Sequence, residues 1–362
     1  MSLLYDEGQQ AIATESRRIL EARLSDESLL PLLEQQGAYH DAFWDMAREQ
    51  GWTALAIPED YGGLGLGLVE LGLIAHQVGR SLAGAPFLTT SYGAARAILD
   101  HGSDELRGEW LPRLAAGEVI GTVAFGEEQD ILSAAATFAN GTISGTKSGV
   151  TGALHADVAV VLASDGGEAV LAVVPLAGVE RRGFDSFDNS RCSADLAFAS
   201  APATEIARGD LAHRAALDII ALQAVVTAHE QTGGAEILME RARDYANTRR
   251  AFGQTIGSFQ SVKHRIAEMY ALVELARAGA IHAATREGHG DFVAAAASAR
   301  IQATEAYDGC ARDAMQVHGG IGVTWEAGLH LHMRRARSLA IEQGNLMFWE
   351  DILVERLAGE AA

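Results

Sequence analysis

Between residues 121 and 208 the hydrophobic pattern of this chain changes period, and beyond that stretch it changes back. Inside it, short runs such as VAVVLA (158–163) and AVLAVVPL (169–176) are rich in Val and bounded by Gly, Asp and Ser, the composition of strands. The alternation from Thr142 to Thr146 adds a half-exposed strand. Residues 4–120 instead carry apolar positions at helical spacing, as in Ile12, Ile19 and Leu20, among Ala, Leu, Glu and Arg. After the strand-rich stretch, residues 211–247, 256–288 and 292–318 read as long helices, with Asp210 a candidate N-cap. A helical C-terminus follows the glycine cluster at 319–322. The order helical, β, helical predicts an α+β multidomain chain. Its domains are expected at 1–120 (helical), 121–208 (a small β-barrel or sandwich, not a parallel sheet) and 209–362 (helical).

Punctuation within the first stretch is local. PEDYGGLGLG (58–67) is a glycine-rich loop, a helix runs from near Val69 to Ser81, and Pro86 marks the next connection. Trp110-Leu111-Pro112 is expected to open a short helix ending at Gly117, since proline suits a first helical turn.

A length of 362 residues with 48% hydrophobic side chains supports two or three packed units, and 21% charged residues argue against disorder. The net charge of −20 disfavours a nucleic-acid partner, although clustered arginines could still hold a small anionic ligand. Cys192 and Cys310 show neither metal spacing nor a disulfide framework, so a reducing cytoplasm and no metal are expected. MSLLYDEGQQ at the start has no basic segment followed by an apolar one, and no uncharged apolar stretch of about 18 residues appears. The expectation is a soluble intracellular protein without a membrane span.

Three features can carry chemistry. In RRAFGQTIGSFQ (249–260), Arg249 and Arg250 lie at a helix end before an aromatic and a turn; they suit a dinucleotide pyrophosphate or a plain helix C-cap. In QVHGGIGVTWE (316–326), Gly319, Gly320 and Gly322 permit close backbone approach to a cofactor, or make a tight interhelical turn. His318 there is read as a structural, hydrogen-bonded histidine. The arrangement is not GxGxxG after a strand, so a Rossmann fold is unsupported. Finally, Gln223, Thr227, Glu230 and Gly234 fall on one face of an apolar helix. This stripe could line a pocket, touch another subunit or end in a salt bridge, and Glu230 in apolar surroundings would suit a general base.

Together these segments resemble the acyl-CoA dehydrogenase family. The match runs in order through PEDYGGLGLG (58–67), WLPRLAAGE (110–118), SRCSAD (190–195), RRAFGQTIGSFQSVKHRIAEM (249–269) and QVHGGIGVTWE (316–326). The TWE and LHLHMRRA wording looks most like bacterial members that degrade steroid, aromatic or other unusual acyl chains. The resemblance implies a helical N-terminal domain, a β middle domain and a C-terminal four-helix bundle. It also implies FAD as cofactor and an acyl-CoA substrate oxidised between its α and β carbons. Electron-transferring flavoprotein would be the acceptor, in a homo- or hetero-oligomer. Arg249, Phe252, Gln260 and Thr151 would meet the FAD of their own subunit, and Gln316, Gly319 and Gly320 that of a neighbour.

The chain departs from the family pattern at the site itself. Gln343 stands where most members carry the catalytic Glu before Gly, and Gln223 where a smaller group places it. A glutamine cannot take a proton. Glu342 and Glu230 are the remaining candidates for the base; Glu230 lies seven residues, about 10 Å, along the helix from Gln223. The flavin-covering strand, usually W-(I/V)-T-(N/S), reads Gly149-Val150-Thr151-Gly152, without the Trp. The T-E-P…G-S-D loop is reduced to AFGEEQD (124–130). Three functions are therefore open: a dehydrogenase with its own base, a base-less partner completing the FAD site of another subunit, and an acyl-CoA oxidase or flavin monooxygenase.

Overall fold

The structure is a computed structural model that describes residues 5–24, 26–83, 86–128 and 130–360, leaving aside the side chains of residues 26–28, 33 and 360. Six helices come first: α1 (Glu7–Arg23), α2 (Asp26–Glu34), α3 (Asp41–Glu49), α4 (Leu68–Ser81), α5 (Phe87–His101) and α6 (Asp104–Ala115). Asp6 starts α1 with a capping box: its carboxylate accepts from the Gln9 amide, and the Gln9 side chain accepts from the Asp6 amide. α6 is longer than expected. It starts at Asp104, where the Ser103 hydroxyl caps Leu106, so Trp110-Leu111-Pro112 lies in its second half. Here the serine cap, not the proline, marks the start.

Eight strands follow: β1 (Gly121–Ala124), β2 (Thr137–Ala139), β3 (Thr142–Val150), β4 (Val158–Asp165), β5 (Glu168–Pro175), β6 (Glu180–Gly183), β7 (Ala194–Pro202) and β8 (Thr204–Arg208). They form one mixed sheet in the order β6-β7-β3-β2-β4-β5-β8, with β1 added beside β4. β1 and β2 run parallel to β4, and the other pairs are antiparallel. No pair joins the end strands β6 and β8 among the described residues. β4 and β5 are paired from Val158↔Pro175 to Asp165↔Glu168 and turn at Gly166 and Gly167. Both glycines have positive φ, as a tight primed hairpin turn requires. Val158–Ala163 are completely buried, so this strand reads as a continuous apolar run.

The last third holds α7 (Asp210–Thr248), the short hairpin β9 (Arg250–Ala251) and β10 (Gln254–Thr255), α8 (Gln260–Thr285), α9 (Phe292–His318), α10 (Leu329–Leu339) and α11 (Leu346–Glu360). Asp210 is the first helical residue of α7, one step inside the expected cap. α7 is long and apolar enough to cross a membrane by composition, yet 72% of its most apolar window is buried inside the protein, as in a core helix.

The chain divides into two compact units. One comprises Met1–Pro31, Gly72–Ala83 and Ala224–Ala362; in it α9 packs against α8, α10 and α11. The other comprises Leu32–Leu71 and Gly84–Gln223; in it α5 packs on β1, β4 and α6. α7 passes from the second unit into the first after Gln223.

Candidate active site

The polar stripe of α7 is satisfied within the chain. In one unit, the buried Gln223 amide donates to the Thr89 carbonyl at 3.2 Å. In the other, the Thr227 hydroxyl donates to Gln343 Oε1 at 3.1 Å. Arg335 Nη1 meets Glu230 Oε1 at 2.8 Å, with both side chains at most 4% exposed. Gly234 leaves room for the Tyr307 ring, which a Cβ would approach to 2.4 Å. Of the readings the sequence left open for Glu230, the salt bridge is the one seen here. Glu230 is one half of a buried ion pair whose other half comes from α10.

Gln343 and Glu342 sit on the turn between α10 and α11. Gln343 and Gly344 have φ of +52° and +102°, and a Cβ on Gly344 would lie 2.4 Å from the Phe348 ring. The turn is held from α9 by Arg300, which is fully buried. Its Nη2 donates to the carbonyls of Leu339 and, at 2.8 Å, Glu342; its Nη1 donates to Gln231 and Thr304. Burial pushes the Arg300 guanidinium down to about 10, against the attraction of Glu342 and Glu230. The Gln343 side chain accepts from Thr227 of α7.

The two bends expected to meet a dinucleotide are exposed. Arg249 follows the last residue of α7, and its guanidinium has no hydrogen-bond or ion-pair partner among the described residues. Phe252 and Gly253 form the two-residue turn between β9 and β10, both at positive φ. A phenylalanine there is strained and is 96% exposed, the profile of a residue kept for contact and not for folding. Gln260 is the exposed first residue of α8. At the other bend, Gln316 is exposed and its carbonyl accepts from Gly319, which has φ +63° and ψ −138°. Cβ atoms at Gly319 or Gly320 would meet nothing within 4 Å. His318 is structural as expected: it stacks on Tyr245 at 4.3 Å and its Nδ1 lies 2.8 Å from the Ala314 carbonyl.

In the strand-rich unit, Thr151 is buried, and its carbonyl accepts from the Thr122 hydroxyl at 2.8 Å. Gly149, where the family carries Trp, lies in an irregularity of the β3–β7 ladder with φ +63°, and its N–H donates to Asp195 Oδ1. The departure is thus in the backbone as well as the side chain. Of AFGEEQD (124–130), Gln129 lies outside the described residues.

Among the buried cations that the sequence did not single out are Arg300, Arg335 and Lys147. Arg300 had a signal, a lone arginine in the alanine-rich start of α9. Lys147 had one too, four residues after the buried Ile143 on the same strand face. Arg335 lies in the basic run MRRAR and has no separate mark.

Helices, a β unit and a helical bundle follow one another in the order that the acyl-CoA dehydrogenase resemblance implies. Residues 6–118 match the model of the acyl-CoA dehydrogenase N-terminal domain and residues 213–358 that of the C-terminal domain, so the chain belongs to the acyl-CoA dehydrogenase family. The acyl-CoA dehydrogenase IpdE2 of Mycobacterium tuberculosis (strain ATCC 25618 / H37Rv) is 31% identical over 310 residues, 83% of this chain and 82% of that protein. The Mycobacterium tuberculosis ChsE4-ChsE5 complex has a chain with TM-score 0.89 and 25% identity, covering 99% of each. The Tcur3481-Tcur3483 steroid ACAD G363A variant has one with TM-score 0.88 and 25% identity, covering 98% of this chain and 99% of that one. Family members are FAD-dependent oxidoreductases that act on the CH–CH bond of acyl-CoA. The residues here fit that cofactor: an unpaired guanidinium suits a pyrophosphate, an exposed ring suits an aromatic ligand, and Gly319 and Gly320 leave the backbone open.

Proposed function

We propose that this chain is the base-free subunit of a heteromeric acyl-CoA dehydrogenase, completing an FAD site while a homologous partner supplies the catalytic glutamate. The observation that carries this reading is that both base positions hold amides with neutral partners, Gln223 on Thr89 and Gln343 on Thr227. The nearby Glu230 is already neutralised by Arg335. Neither amide can accept the α proton. The heteromeric ChsE4-ChsE5 assembly among the structural relatives supports the same reading.

In this assembly Arg249, Phe252, Gln260 and Thr151 hold FAD from their own subunit, and Gln316, Gly319 and Gly320 reach a neighbour's. FAD, when bound, accepts the β hydride of the acyl group. The chain's own part is to bind, to orient and to exclude water. Electron-transferring flavoprotein is the acceptor, the compartment is the cytoplasm, and the substrate is a steroid- or fatty-acid-derived acyl-CoA. The expected domains remain 1–120, 121–208 and 209–362.

The test expresses the chain alone and with a homologue that has Glu at the position of Gln343. The pair should retain FAD and bleach anaerobically with acyl-CoA, whereas the chain alone should not bleach. Bleaching by the chain alone, abolished by Glu342→Gln, would replace this reading with a self-sufficient dehydrogenase.

A further inference from the structure

Lys147 is a charge buried in a strand. Its side chain is wholly inaccessible, on the inward face of β3. An ammonium has three protons to donate, and all three have acceptors here. Nζ donates to the Phe125 carbonyl at 2.9 Å, to the Ser133 carbonyl at 2.7 Å, and to the Glu127 carboxylate. Glu127 Oε1 also accepts from the Ala136 amide at 2.9 Å. The loop between these points is braced across its middle, where Glu127 and Asp130 exchange backbone hydrogen bonds of 2.8 and 2.9 Å. It is tied sideways to β3 by the Ser148 N–H on the Gly126 carbonyl.

An apolar side chain would fill this interior at lower cost, because a buried ion pair seldom stabilises more than well-packed hydrocarbon. What hydrocarbon cannot do is grip two carbonyls at the opposite ends of one loop. Four residues beyond Lys147, the same strand delivers Thr151. We infer that Lys147 is a positioning residue that fixes residues 125–128 and 130–133 against β3, so that they and Thr151 form one rigid flavin-facing surface. This rests on the proposed assignment of Thr151 to the FAD site. It also gives the shortened loop a fixed shape that does not depend on length or on a covering Trp.

Three variants of the co-expressed assembly separate position from charge. Lys147→Met alone strands the Glu127 carboxylate and should lower the melting temperature. The double variant Lys147→Met/Glu127→Gln removes both charges and should recover most of it. It still lacks the grips on Phe125 and Ser133, so its Kd for FAD should rise about tenfold or more as a pre-ordered loop becomes loose. Its flavin absorption and fluorescence should shift as well. Glu127→Gln alone keeps both carbonyl grips, so its Kd for FAD should rise clearly less than that of the double variant, whatever its loss of stability. A stable double variant with wild-type FAD affinity and spectrum would overturn the inference.

Should the double variant not fold, amide exchange on the wild-type assembly decides. The Glu127 and Asp130 amides should exchange slowly, and rapid exchange there would refute the clamp. A wild-type assembly holding no FAD would instead sink the proposed function, while the exchange measurement still reads the loop.

Discussion

A carboxylate can serve as a base only if its charge is not already committed, and at Glu230 it is. Its partner Arg335 arrives from α10 and the pair is almost wholly buried. Removing one member of such a pair leaves the other charge uncompensated, at a typical cost of about 3–5 kcal/mol. Glu230→Gln should therefore lose roughly that much stability in urea unfolding, and Glu230→Gln/Arg335→Met should recover a large part of it. A Glu230→Gln protein of wild-type stability would show that the pair does not hold the bundle. Arg249 is the opposite case. Its guanidinium is exposed and unpaired among the described residues, so Arg249→Ala should leave stability within about 0.5 kcal/mol of wild type. FAD retention after desalting should fall, and unchanged flavin content would remove Arg249 from the site.

Helices α4 and α7 meet backbone to backbone. A Cβ on Gly79 would stand 1.8 Å from the Glu230 carbonyl oxygen, and one on Gly233 would stand 1.9 Å from that of His76. Nothing flexible can yield there, so the helices themselves must separate. The same crossing carries the partly buried network in which Glu236 takes His76, Arg80 and Arg277. Gly79→Ala should cost about 3 kcal/mol, the upper end of overpacking, in thermal or urea unfolding. A smaller loss would mean that the crossing is pliable. These contacts also mark what the sequence could show. The long C-terminal helices and β4–β5 were legible because one face or both must be apolar, and period follows burial. The Gly79–Glu230 approach was not legible, since a glycine inside a helical pattern does not name its neighbour. The start of α6 was misplaced because Pro112 drew attention from Ser103. At the site, the Gln343 and Gln223 substitutions were visible in the residues. The pairing of Glu230 with Arg335 was not, because the two stand 105 residues apart.

At the scale of the whole molecule, the buried histidines make stability depend on pH in one direction. His229, on α7 behind Gly72, is fully buried. Burial, aided by the nearby His76, drives its imidazole down to about 3, against a hydrogen bond with the Ala280 backbone. His332, whose Nδ1 lies 2.9 Å from the Tyr307 hydroxyl, is lowered by burial and then by Arg241, Arg335 and Arg80. In the unfolded chain a histidine takes its proton near pH 6.5. Between that value and about 3 the unfolded state therefore binds a proton that folded His229 refuses. Stability is fully present above about pH 6.5 and falls as the pH drops toward 3. At 1.36 kcal/mol per pH unit, His229 alone should remove about 2–3 kcal/mol by pH 4.5. Glu236 works at a lower pH. Burial would raise its carboxyl, but the hydrogen bond and charge of His76, with Arg80 and Arg277, hold it well below the usual carboxylate range. Its contribution persists above about pH 4 and is lost only in stronger acid. The two can thus be separated by where the acid limb begins. Urea unfolding between pH 7 and 4.5 should show the wild type losing stability once the pH falls below about 6.5. His229→Leu, whatever its stability at pH 7, should lose about 2–3 kcal/mol less over that range. Parallel pH curves for the two proteins would mean that the His229 ring is protonated in the fold, and that the acid sensitivity of this chain lies elsewhere.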